Sequence, residues 1–244
     1  MIHSIDGVAS LAAEGSADDL RPMGPITAGM SSDTRDDYGP LLATAYDSLA
    51  WAYSAGAIGA CKRWGVAHLQ PGSSVLFAGA GSATEVVDPV RGIVHCDIVD
   101  RSAAMLSRAR KRLQRCGLEH QATMYETDLR FFEPGRTYDA VVAHFFLNVF
   151  DTTTMLAMME RMQGLLRPKG QLIVGDFAMG NQFPQMLYHD LPMHLFSRWT
   201  DSAPHEIHDV AAAAQTHGFR LAAHRFFRWG RLGPPWFGSW VFER

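Results

Sequence analysis

The chain has 244 residues, 47% hydrophobic and 19% charged, with a formal net charge of −3. That length favours one or two domains with ample apolar material for a core, and no run of about 18 apolar residues suggests a membrane span. Dispersed basic residues leave no electrostatic footprint for nucleic acid, and Cys61, Cys96 and Cys116 are odd in number, without metal-like spacing or a secretory leader ahead of them. The setting expected is therefore reducing and cytoplasmic.

Residues 1–37 are rich in Ala, Gly, Ser and Asp, carry Pro22 and Pro25, and keep no sustained period, so a flexible segment is expected there. From Pro40 to Trp64 the pattern turns helical, with Leu41, Leu42, Ala45, Leu49, Ala52, Tyr53 and Ile58 available for burial. An apolar strand from Val75 then runs into Gly79-Ala80-Gly81-Ser82-Ala83, and a second β-rich run, Ile93 to Val99, leads to Asp100. Glycine at 79 or 81 lets the backbone turn sharply and approach a ligand, and an acid ending the next strand can accept both hydroxyls of a ribose. Ala83 is tolerable in that turn if its φ stays negative, and Pro89 cuts short any helix that follows.

Ser102 to Cys116 has helical spacing at Leu106, Ala109 and Leu113, with Ser102 as N-cap and Gly117 as stop. Ala122 to Glu126 and Tyr138 to His144 read as strands, and Thr152 to Leu166 as an amphipathic helix ended by Arg167-Pro168-Lys169-Gly170. Gln171 to Phe177 reads as a buried strand. His205 and Glu206 are expected to open the last helix, and Leu221 to Arg228 with Gly238 to Glu243 to form a closing hairpin. Strands alternating with helices imply a parallel sheet whose ligands sit beyond the carboxyl ends of its strands. Arg220, Arg225, Arg228 and Arg231 alternate with Phe226, Phe227 and Trp229, either as a nucleic-acid stacking surface or as the rim of that hairpin; the acidic balance favours the rim.

In this order the strings Phe77-Ala78-Gly79-Ala80-Gly81-Ser82-Ala83, Val99-Asp100-Arg101-Ser102-Ala103-Ala104-Met105-Leu106, Thr127-Asp128-Leu129, Tyr138-Asp139-Ala140-Val141-Val142-Ala143-His144 and Leu165-Leu166-Arg167-Pro168-Lys169-Gly170-Gln171-Leu172 resemble the successive motifs of the class I S-adenosylmethionine-dependent methyltransferases of small molecules. The resemblance covers residues 71–180 well and the ends loosely. It implies a Rossmann-like α/β fold: a seven-stranded, mostly parallel sheet with an antiparallel last strand and helices on both faces. It further implies one domain over 38–244, divided into a helical lid (38–70), a cofactor core (71–180), a substrate cap (181–209) and a closing helix with β-hairpin (210–244).

By the same resemblance Gly79 and Gly81 flank the methionine part of S-adenosylmethionine, Asp100 holds the ribose diol and Asp128 accepts from the adenine amino group, with Ala80, Arg101 and Leu129 among the cofactor-binding positions; S-adenosylhomocysteine is the product. Met105 packs either on the adenine face or in the core. Tyr46, with Tyr38 and Tyr53, is a candidate to cover the cofactor. Phe77 stands where the family has an acid, so either Glu85 or a side chain of the N-terminal helix replaces it, or cofactor binding is weak.

His144 ends the fourth strand next to the cofactor. It serves either as a general base for a phenol, enol or ring nitrogen, or as a structural histidine whose carbonyl touches the cofactor. Phe145, Asn148, Tyr188 and His189 are placed to meet the acceptor, and the aromatic stretch from Gly180 to Pro204 suits a flat or hydrophobic small molecule. The His189/His194 and His205/His208 spacings lack an acid cluster for a metal site. No nucleic-acid or membrane partner is expected, and a homodimer is compatible with the reading. Two other functions compete: a non-catalytic S-adenosylmethionine-binding partner subunit and, ranked lower, a nicotinamide-dependent oxidoreductase.

Overall fold

The computed structural model describes Ser48 and residues 50–178, 207–230 and 233–244. The chain divides into residues 1–33 and 34–244, and every described residue belongs to the second unit. Tyr38, Tyr46, Tyr188, His189, the expected flexible segment and nearly all of the expected substrate cap lie outside the described residues.

Seven strands form one sheet: β1 (Ser74–Ala78), β2 (His95–Asp100), β3 (Thr123–Glu126), β4 (Tyr138–His144), β5 (Leu166–Phe177), β6 (Arg220–Arg228) and β7 (Pro235–Glu243). Their order is β3-β2-β1-β4-β5-β7-β6. The first five are parallel, and β7 runs antiparallel to both β5 and β6. The chain reverses direction across the sheet between β1 and β4, which places the ligand crevice of such a fold at the carboxyl ends of these central strands.

Alternation along the strands sorts the core into two faces. Val75, Phe77, Ile98, Ala140, Val142 and Ile173 pack with α1 (Ala57–Val66) and α2 (Ala103–Arg115). Leu76, Ala78, Val141, Ala143, Leu172 and Val174 pack on the other side with α3 (Thr152–Leu165) and α4 (Val210–Thr216). In α3 the positions Met155, Met158, Met159 and Met162 form one buried stripe at helical spacing. Side-chain oxygens of Ser102, Asp151 and Asp209 accept the first free backbone N–H groups of α2, α3 and α4. No helix among the described residues is long and apolar enough to cross a membrane.

Several expectations are corrected. The helix read from Pro40 to Trp64 is interrupted at Ala55 and Gly56, both with positive φ, and α1 restarts at Ala57. No α-helix follows the glycine turn; only a 3₁₀ turn at Pro89–Arg91 precedes β2, because Pro89 and the left-handed Ala83 leave no room for regular turns between them. Ala83 takes φ 53, not the negative value on which its tolerance was premised. β5 starts at Leu166 rather than Gln171, since Leu166 already pairs with Tyr138 across an irregularity in register. The last helix starts at Val210 with Asp209 as its cap, and His205 and Glu206, expected to open it, lie outside the described residues. The arginine-rich terminus forms the β6–β7 hairpin, with Arg220, Arg225 and Arg228 exposed.

Candidate functional site

The turn after β1 is built on positive φ at Gly79 (62°) and Gly81 (55°), a conformation that glycine adopts without steric cost. It is pinned to β2 twice: Gly79 N–H donates to the Val99 carbonyl at 2.8 Å, and Gly81 N–H to Asp100 Oδ2 at 2.9 Å. The other carboxylate oxygen, Oδ1, accepts from Ser102 N–H at 2.9 Å. Burial raises the Asp100 pKa, opposed by these backbone donors. Arg101 adds a third backbone donor, and the two oxygens offer about four acceptor sites between them, more than these donors occupy. Across Gly79 lies the ring of Phe146, into which a Cβ on that glycine would run.

Asp128, at the end of β3, caps the short turn Leu129–Phe131. Arg130 Nη2 and Nε reach its two oxygens at 2.6 and 3.0 Å, and Arg101 Nε stands 3.7 Å away. Partial burial works against the Asp128 charge, but Arg130 and Arg101 outweigh it and hold the carboxyl below its ordinary range. An adenine amino group at this carboxylate would share it with Arg130. Met105 is buried in the first turn of α2, and Leu129 is buried in the core beneath Asp128's turn.

His144 ends β4 on the α1 side of the sheet, its side chain only 1% exposed. Nδ1 stands 3.5 Å from Glu85 Oε1, and Lys62 Nζ of α1 stands 3.2 Å from that same oxygen. Thr84 Oγ1 donates to Glu85 Oε2 at 3.0 Å. Room for the imidazole comes from two glycines: a Cβ on Gly65 would lie 2.7 Å from Nε2, and one on Gly175 2.8 Å from the ring carbon Cδ2. Burial lowers the His144 pKa against the pull of Glu85, so the ring is neutral. Burial also opposes ionisation of Glu85, but Lys62 and His144 win and hold its pKa well below the carboxylate range. A base needs its lone pair on the acceptor; here Nε2 faces Gly65 on α1.

Asp176, in β5, was missed by the sequence reading, although a lone acid in an apolar strand was a usable signal. It is 2% exposed and accepts from Phe177 N–H at 2.8 Å and Asn148 N–H at 3.2 Å. Burial raises its pKa to about 7, opposed by those backbone donors. Asn148 is buried in the turn after β4. Phe145, at φ 54, packs edge-on against Phe177 and Phe237, away from Phe146, which packs on Phe150. Lys62 and Phe146 were also missed; nothing local in the sequence brings either to the strand ends. His208 Nε2 donates to the Phe150 carbonyl at 2.9 Å, a structural bond.

Residues 77–172 match the family model of a methyltransferase domain. The chain is 31% identical over 146 residues to highly reducing polyketide synthase 40 of Fusarium pseudograminearum (strain CS3096), an alignment that takes in 54% of this chain and 5% of that much longer protein. An O-methyltransferase family protein from Burkholderia thailandensis superposes with a TM-score of 0.65 at 16% identity, over 85% of this chain and 60% of the other. The N-methyltransferase NodS from Bradyrhizobium japonicum WM9, in complex with S-adenosylhomocysteine, superposes with a TM-score of 0.57 at 15% identity, over 79% and 87% of the two chains. At such identities the superpositions speak for the fold.

Proposed function

We propose that this chain is a class I methyltransferase that moves the methyl group of S-adenosylmethionine to a small aromatic or hydrophobic acceptor by in-line displacement. The observation that carries the reading is the bond from Gly81 N–H to Asp100: it joins the open glycine turn to the one acid at the neighbouring strand end and sets both beside the carboxyl end of β4. Asp100 would take the ribose hydroxyls, Gly79, Ala80 and Gly81 the methionine arm, and Asp128 with Arg101, Met105 and Leu129 the adenine. The cofactor supplies a sulfonium leaving group. What the chain must add is alignment of the acceptor atom at roughly 3 Å and exclusion of water. Phe146 and Phe150 offer the apolar wall for that, with Asn148 in the turn behind them.

His144 enters as the candidate base in its neutral form, Nδ1 toward Glu85. Its orientation toward α1 favours the alternative in which alignment carries the rate and proton removal is secondary. A screen of flat phenols, enols and ring amines with methyl-labelled S-adenosylmethionine tests both. Transfer to at least one acceptor is expected, with His144→Ala losing less than about tenfold in kcat, where general-base catalysis contributes 10²–10⁴-fold. A loss of that larger size at unchanged cofactor affinity restores His144 as the base. Cofactor binding without transfer to any acceptor favours the non-catalytic partner subunit instead.

A further inference from the structure

Three segments around the strand-end crevice meet in one largely buried polar cluster: the glycine turn through Glu85, the end of β4 through His144, and α1 through Lys62. Both Glu85 oxygens are engaged. Oε1 faces Lys62 and His144, and Oε2 accepts from Thr84 and lies 3.4 Å from Lys62 Nζ. With its side chain 2% exposed, this carboxylate is not open to a ligand. Cys61 of α1 and Ser239 of β7 line the same side of the sheet, and Asp176 of β5 adds a further acid nearby. A buried ion cluster is a poor source of net stability, because desolvating each charge offsets most of the attraction; apolar side chains fill such a volume as well. What the cluster does achieve is a fixed geometry among three chain segments: the glycine turn, the end of β4 and α1. The place two residues before Gly79, meanwhile, is taken by buried Phe77.

We propose that Glu85 is a positioning residue for the methionine arm of the cofactor: its carboxylate, held by Lys62 and His144, fixes the glycine turn against the end of β4 and under α1 without touching the ligand. The inference rests on the cofactor reading above. It assigns Glu85 and Lys62 a joint role that neither has alone, and it makes the methionine arm, which lies along the turn, more sensitive to their loss than the adenosine half held by Asp100 and Asp128.

Titrating the full chain with S-adenosylmethionine and separately with adenosine tests it. Glu85→Gln is expected to weaken S-adenosylmethionine by about tenfold or more while adenosine changes by less than about threefold. Lys62→Met is expected to show the same selective loss, and Lys62→Arg to recover most of it. If Glu85→Gln does not fold, the two Lys62 variants decide. Unchanged S-adenosylmethionine affinity in Glu85→Gln or Lys62→Met overturns the proposal, as does an equal loss for both ligands, which marks a merely structural cluster. A wild-type chain that binds neither ligand sinks the cofactor reading itself, a result separate from either.

Discussion

Gly79 carries two demands at once: its φ of 62° excludes most side chains, and the face where a Cβ would stand is filled by the Phe146 ring. Gly79→Ala is therefore expected to cost on the order of 2–4 kcal/mol in urea unfolding, from left-handed strain plus overpacking. A loss below about 0.5 kcal/mol would mean that Phe146 moves freely from the turn. The glycine turn and Asp100 were legible because a strand, two glycines and an acid at a strand end are local signals. Glu85 was legible only as one of two candidates to replace the acid at Phe77. The fold joins both, since Glu85 pairs with Lys62 of the N-terminal helix. No sequence period encodes that pairing, which depends on how α1 crosses the strand ends.

Elements with strong periodicity and caps were read nearly to the residue: Tyr138–His144 as β4, and α2 between Ser102 and Gly117. Those governed by backbone conformation were not. Ala55 and Ala83 adopt positive φ although alanine signals helix, so the break before α1 and the missing helix after the glycine turn were invisible to composition. At this scale Asp176 ties β5 to the turn after β4, and its pKa rises from 3.8 to about 7. A carboxyl whose folded pKa is raised favours the folded state while protonated. That contribution is complete below the unfolded value and is lost as pH climbs through about 7. Relative to Asp176→Asn, the wild type should lose stability between pH 5 and pH 8, by on the order of 3 kcal/mol. Urea unfolding of both proteins at the two pH values measures it. Parallel profiles would mean that Asp176 ionises in place at no cost.

For the molecule as a whole, the seven strands, the antiparallel β7 and the two helix-covered faces agree with what the resemblance implied. The cap that would meet an acceptor, including Tyr188 and His189, falls outside the described residues, so acceptor choice is a question for chemistry. Central to this reading is that the turns after β1 and β2 together grip a nucleoside that carries a sulfonium. Calorimetric titration of the wild type and Asp100→Asn with S-adenosylmethionine, and with a nicotinamide dinucleotide beside it, tests this most directly. The account predicts one S-adenosylmethionine per chain, no dinucleotide binding, and a loss of about tenfold or more in Asp100→Asn. Heat from the dinucleotide alone, or S-adenosylmethionine affinity indifferent to Asp100→Asn, would contradict it.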